Sequence, residues 1–150
     1  MNEPLREWLV ETYGGARNGT GVALQQQRYE EGLRAFRLLY GPGPVEIYRA
    51  PGRVNLIGEH TDYNHGFVLP IALDRDTAVL VRRRADNQVV LNNIEPADYS
   101  ERTFGLSADI ESGPLGDWGN YAKGPAQALV RRFGLPAAGI DALVLGRQPF

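Results

Sequence analysis

Gly52-Arg53-Val54-Asn55-Leu56-Ile57-Gly58-Glu59-His60-Thr61-Asp62-Tyr63 is the densest polar constellation in the chain. A guanidinium, two carboxylates, an imidazole and a phenol follow one another closely, and two glycines punctuate them. Val54, Leu56 and Ile57 read as an apolar strand whose burial would fix the backbone from which the polar groups project. Asp62-Tyr63-Asn64-His65-Gly66 is turn chemistry, because Asp and Asn bond their own backbone and Gly accepts positive φ. Taken singly, Arg53, Glu59, His60 and Asp62 read as solvated surface groups. Taken together they suit a ligand with several neutral hydroxyls, such as a sugar. Carboxylates accept from those hydroxyls, and each charge-assisted hydrogen bond contributes about 1.5–3 kcal/mol. Arg53 differs, since its planar and permanent charge suits a carboxylate or phosphate oxygen.

Outward from this stretch the pattern is β. Val45, Ile47 and Arg49 alternate with Glu46, Tyr48 and Ala50 until Pro51-Gly52 breaks the strand. Phe67 to Leu73 and Thr77 to Arg84 read as further strands. Ala85-Asp86-Asn87-Gln88 reads as a hairpin turn into Val89 to Asn92, and Ser100 to Phe104 as one more strand. On the N-terminal side, Pro4 to Tyr13 reads as a helix with Leu5, Trp8, Leu9 and Thr12 on one face, ended by Gly14 and Gly15. Gly14 to Val22 has the composition of a linker. Leu24 to Tyr40 reads as a stronger helix with Tyr29, Leu33, Phe36 and Tyr40 at helical spacing and Gly41 as its stop. On the C-terminal side, Asp117 is placed to cap a helix from Trp118 to Phe133 that Pro125 should kink or divide. Gly139 to Leu145 reads as a buried strand, and as a last strand it is expected to have an unpaired edge. The order is α+β rather than alternating α/β.

The 150 residues suffice for one domain with a real core. A net charge of −2 gives no basic field for nucleic acid and no attraction to an anionic membrane. No apolar run approaches the ~20 residues of a membrane span, and no secretory signal is visible at the start. The lack of cysteine excludes disulfides and thiolate metal sites and fits a reducing, cytoplasmic setting.

The stretch Gly52 to Tyr63, with Ala50-Pro51 before it and Asn64 and Gly66 to Pro70 after it, closely resembles the signature of the galactokinases. These belong to a superfamily with the homoserine, mevalonate and phosphomevalonate kinases. Tyr29 to Tyr40 resembles the lead-in helix, Ile71 to Asp74 the strand after the signature, and Trp118-Gly119-Asn120-Tyr121-Ala122-Lys123-Gly124 another family motif. Gly139 to Leu145 resembles the strand that leads to the family's phosphate loop.

The resemblance implies the N-terminal lobe of a small-molecule kinase, ribosomal protein S5 domain 2-like and incomplete at the C-terminus. Residues 28–150 would be the galactose-binding domain and residues 1–27 an extension of helix and linker. It further implies ATP-dependent phosphorylation of D-galactose at the C1 hydroxyl with Mg²⁺, the first step of galactose catabolism, by a protein that is monomeric when complete. Arg53 would be catalytic, Glu59, His60, Thr61 and Asp62 would bind the sugar, and Trp118 and Tyr121 would lie on the adenine side of the nucleotide site. The residues alone equally allow Trp118 and Tyr121 to be core packing, and leave Lys123 and His65 as surface groups. The phosphate loop and catalytic base are expected beyond residue 150, so this chain alone is expected to lack turnover. Two alternatives remain at this stage: a galactose-binding sensor without catalysis, and a kinase for a related sugar such as N-acetylgalactosamine.

Overall fold

The computed structural model describes residues 3–14, 19–58, 60–134 and 138–146. Two helices come first, α1 (Glu3–Tyr13) and α2 (Gly19–Tyr40). They are followed by strand β1 (Glu46–Ile57), a 3-10 turn (Asp62–Asn64), and strands β2 (Leu69–Arg83), β3 (Gln88–Asn93) and β4 (Arg102–Gly105). Helix α3 (Asn120–Phe133) and strand β5 (Ile140–Leu145) complete the order.

The helical faces read from the sequence are the ones used. Leu9 of α1 and Tyr29 and Phe36 of α2 are fully buried against Ala78, Leu80, Leu143 and Leu145 of the sheet. Successive strand residues point to opposite faces, so Val79, Val81 and Ala142 look the other way. There, with Val89, Leu91 and Phe104, they form a second core covered by Trp118, Ala122 and Ala126. The mixed sheet therefore carries α1 and α2 on one face and α3 on the other, three layers around two apolar seams.

Helix α2 begins at Gly19, inside the stretch whose composition suggests a linker, and the expected boundary at residue 27 falls within it. Tertiary contact overrides the weak propensity of Gly19 and Gly21. Gly41 stops the helix as expected, with φ 78° and its N–H on the Arg37 carbonyl. Helix α3 starts two residues later than expected, at Asn120, because Asp117 and Trp118 form a preceding turn. Pro125 does not divide α3. The one carbonyl it leaves without an intrahelical donor belongs to Tyr121, which is 87% exposed and open to water.

The largest departure from the sequence reading is the sheet order, β1-β2-β5-β3-β4. Although a short turn joins β2 to β3, they do not pair. Strand β5 lies between them, antiparallel to β2 and parallel to β3. The final strand is thus central, paired on both edges rather than open on one. Its near-continuous apolar sequence is what a strand buried on both faces requires. The 84–87 turn is wide enough to admit Gly139, the residue just before β5. Arg84 N–H donates to the Gly139 carbonyl and Gly139 N–H to the Asp86 carbonyl. Any side chain at 139 would run into the Gln88 backbone. Arg84 then bridges Asp86 and Asp141, fastening β5 to the turn that receives it.

One carboxylate ties the helical layer to the sheet. The Asp76 side chain is fully shielded from solvent and accepts from Arg28 Nη1 at 2.6 Å, from Arg49 Nε and from the Tyr13 hydroxyl. These partners come from α2, β1 and α1. Burial alone would raise the Asp76 carboxyl, but the hydrogen bonds from Tyr13, Arg28 and Arg49 outweigh it and hold it below the usual carboxylate range. A depressed folded pKa contributes stability that is complete above the unfolded value and is lost as pH falls through the folded one. Urea titrations should therefore show Asp76→Ala weaker than wild type by about 3–5 kcal/mol at pH 7, since the buried Arg28 and the half-buried Arg49 lose their counterion. That difference should shrink below about pH 4. Equal midpoints at pH 7 would show that the cluster does not hold the layers together. Gly139→Val should block insertion of β5 and remove the cooperative thermal transition seen by circular dichroism.

Candidate functional site

Strand β1 is not broken at Pro51-Gly52. Its pairing with β2 shifts register there: Pro51 faces Asp76 and Arg53 faces Ala72, so the bulge lies on β2 at residues 73–75. A second irregularity follows at Asn55 to Ile57. Beyond Ala78, which pairs with Leu145, no β5 residue is described beside β2. The distal halves of β1 and β2 accordingly form a two-stranded ribbon that projects from the three-layer body.

This geometry corrects the expectation that Val54, Leu56 and Ile57 are core. All three are exposed, Ile57 by 69% and Phe67 at the ribbon end by 99%. A strand needs packing on a face to bury that face, and this ribbon has no helix against either side among the described residues.

The turn at its tip is built tightly nonetheless. Gly58 has φ 106°, and a Cβ there would stand 2.6 Å from the Phe67 carbonyl oxygen. Only glycine fits both demands. The Thr61 hydroxyl lies 2.7 Å from the Gly58 carbonyl and 3.0 Å from the Phe67 carbonyl, stapling the two strands across the turn. Gly66 N–H donates to the Thr61 carbonyl at 2.7 Å. His60 adopts a left-handed backbone, φ 60°, a conformation that costs a non-glycine residue free energy. Two contacts hold it there: its Nδ1 shares a 2.7 Å hydrogen bond with the Tyr63 hydroxyl, and its carbonyl accepts from Asn64 Nδ2 at 2.9 Å. His65 is also left-handed, φ 58°, and exposed, as a surface turn residue should be.

The expected site residues divide as follows. Arg53 stands exposed on β1, with no hydrogen-bond or ion-pair partner among the described residues. His60 and Thr61 come together in the turn, where Thr61 holds the backbone. Glu59 lies outside the described residues. Asp62 opens the 3-10 turn, and its side chain is likewise outside what is described. Trp118 and Tyr121 are not part of this ribbon. Trp118 donates its indole N–H to the Ser100 carbonyl at 3.0 Å, meets Tyr99 edge to face and covers the second core. Tyr121 is exposed and packs in neither core. Asp117 accepts from Gly119 N–H and pairs with Arg102, so it fixes the approach to α3 rather than capping the helix itself. Among the described residues no three Asp, Glu or His side chains converge to hold a metal.

What the sequence reading missed is the base of the ribbon. Asp76, opposite Pro51, and its partners Arg28, Arg49 and Tyr13 fix where the ribbon leaves the body. The only signal was a carboxylate at an inward position of an apolar strand.

A family model described as "Galactokinase galactose-binding signature" matches residues 34–83, from mid-α2 to the end of β2. The chain is 47% identical over 110 residues to a galactokinase of Chloroflexus aggregans, covering 73% of this chain and 27% of that protein. Among solved structures, Lactococcus lactis galactokinase complexed with galactose superimposes with a TM-score of 0.65 at 34% identity, covering 77% of this chain and 30% of the other. Methanococcus jannaschii mevalonate kinase shares the fold, with a TM-score of 0.55 at 19% identity over 72% of this chain and 34% of the other. The chain thus spans about a quarter of the length of the curated relatives it matches.

Gly58→Ala should disturb the tip alone. Amide NMR resonances of residues 58–68 should move while the far-UV circular dichroism stays unchanged. A spectrum identical to wild type would mean that the close approach to Phe67 imposes no constraint.

Proposed function

The chain belongs to the galactokinase family, of which it carries the N-terminal portion, and from that premise we propose that its β1–β2 ribbon binds D-galactose. The observation that carries this reading is the coincidence of the family's galactose-binding signature with the strained, stapled turn at the ribbon tip.

A sugar is read by groups held at fixed geometry, because a hydroxyl that loses its partner on binding costs more than it gains. In this reading Glu59 and Asp62 accept from galactose hydroxyls and His60 offers the ring nitrogen not engaged by Tyr63. Thr61 is a positioning residue, since its hydroxyl already spans Gly58 and Phe67. Arg53, unpaired on the strand just before the turn, faces the phosphoryl group in transit and stabilises its charge. ATP is the proposed phosphoryl donor and the C1 hydroxyl of galactose the acceptor. Mg²⁺ supplies charge neutralisation at the phosphates when bound. The relatives are kinases of small molecules, and the galactokinase match favours galactose over an N-acetylated sugar.

Titration calorimetry with galactose tests the binding half. Wild type should bind, and Asp62→Ala should lose roughly ten- to hundred-fold in affinity with its circular dichroism unchanged. Undiminished affinity would remove Asp62 from the site, and no binding by wild type would overturn the assignment. Phosphorus NMR with ATP, Mg²⁺ and galactose tests the transfer half: this chain alone should form no galactose 1-phosphate, since the phosphate loop and base are expected beyond residue 150, and product formed by it would overturn that expectation.

A further inference from the structure

A cleft of about 930 Å³ opens between α1, α2 and the start of β1. Its floor is apolar: Leu5 and Trp8 from α1, Leu33 from α2, and Val45 and Ile47 from the entry to β1. All five are half-buried and pack against the first core. Its rim carries Glu30, Arg34 and Arg37 from α2. The volume lies at the upper end of the range of small-molecule sites, and the cleft is open, with polar groups contributing as much of its lining as the apolar floor does.

Three features set this cleft apart from a plain surface furrow. First, Arg34 and Arg37 lie three apart on one helix and so project from the same face, about 5–6 Å apart at Cβ. Neither has a hydrogen-bond or ion-pair partner among the described residues. Two unpaired like charges at this spacing repel, and an anion between them would remove that cost. Second, the Glu30 carboxylate, which stands where an ion pair with Arg34 is possible, accepts instead from Gln26 Nε2 at 3.2 Å. The arginines are left free for a ligand. Third, Trp8 is held rigidly. Its ring meets Tyr29 edge to face at 5.5 Å and Tyr13 at 6.1 Å. Both tyrosines belong to the network around Asp76, since they share a 2.9 Å hydrogen bond and Tyr13 reaches the carboxylate. The wall against which a flat ligand would lie is therefore pre-organised, and little ordering entropy is spent on binding.

We infer that this cleft is a second ligand site, one that takes a small phosphate or carboxylate carried on a flat apolar body. The anion lies between Arg34 and Arg37, and the body covers Trp8, Leu33 and Val45. The site is separate from the sugar turn. Ile47 and Ile57 are ten residues apart on one strand, which at ~3.3 Å per residue is about 30 Å. The inference does not depend on what the turn binds.

The two tryptophans, Trp8 in the cleft and Trp118 on the opposite face of the sheet, make the test direct. Their indole N–H resonances are followed by NMR while the protein is titrated with 1-naphthyl phosphate or 1-naphthoate. The Trp8 signal should move saturably and the Trp118 signal should stay. Inorganic phosphate, which lacks the body, and 1-naphthalenemethanol, which lacks the charge, should each bind at least tenfold more weakly. The double variant Arg34→Gln/Arg37→Gln changes exposed side chains only and should keep its circular dichroism while losing roughly ten- to hundred-fold in affinity for both anions. Equal movement of both indoles, no movement of Trp8, or an unchanged affinity in the double variant would each overturn the assignment. Asp62→Ala should bind 1-naphthyl phosphate as wild type does, which separates this result from the fate of the sugar site.

Discussion

The buried carboxylate of Asp76 locates the layer formed by α1 and α2 on the sheet. It receives Tyr13 from α1, Arg28 from α2 and Arg49 from β1, and it sits on β2 itself. Arg28 also donates to the Leu145 carbonyl at the end of β5. Two helices and three strands therefore converge on one charge and its donors. Removing ions from water is expensive, and the cost is met only when every partner is present. Such a cluster adds less to net stability than an apolar substitute of the same shape would. Its contribution is geometric: an apolar seam tolerates sliding of α1 and α2 over the sheet, whereas a carboxylate with directional donors does not.

That constraint bears on the ribbon. A two-stranded antiparallel ribbon is marginally stable by itself in water, and this one exposes apolar side chains along its length. Its direction is therefore decided at its root. Pro51 pairs with Asp76, so the last residue pair before the bulge is the one held by the cluster. The bulge at residues 73–75 then turns the strands, as bulges do where a sheet must re-aim side chains. Root and tip are fixed by different means, ionic hydrogen bonds below and backbone strain with a hydroxyl staple above.

Much of this was legible in the chain. Leu9, Tyr29 and Phe36 announced their helix faces by spacing, and the polar sequence from Gly58 to Gly66 announced a turn. What escaped reading was non-local. Tyr13, Arg28 and Arg49 lie 63, 48 and 27 residues from Asp76, and no periodicity joins them. The place of β5 escaped for the same reason. A short turn between two β patterns ordinarily means a hairpin, and only Gly139, with no side chain to strike Gln88, hints that a third strand enters there. Val54, Leu56 and Ile57 misled in the opposite sense. Their composition is that of a core strand, but burial is a property of what lies alongside, and among the described residues no helix is laid against them along the ribbon.

The strain at the tip follows from the same division of labour. A ligand with several hydroxyls is discriminated only if the groups that meet it do not yield. A free ribbon end of ordinary turn residues would yield, because each backbone torsion there is soft and solvent competes for every hydrogen bond. Gly58 and His60 remove that freedom by occupying backbone conformations from which neighbouring contacts allow no easy exit: the Phe67 carbonyl closes over Gly58, and Tyr63 and Asn64 hold His60. Thr61 then ties Gly58 to Phe67, its hydroxyl lying against both carbonyls. Strain of about 1–3 kcal/mol per residue is tolerable only where the rest of the fold supplies it. Here the supply is at the root of the ribbon, where Asp76 and its donors commit the two strands before they leave the body. The rigidity that the proposed sugar recognition asks of the tip thereby begins at the charge cluster at the ribbon's root.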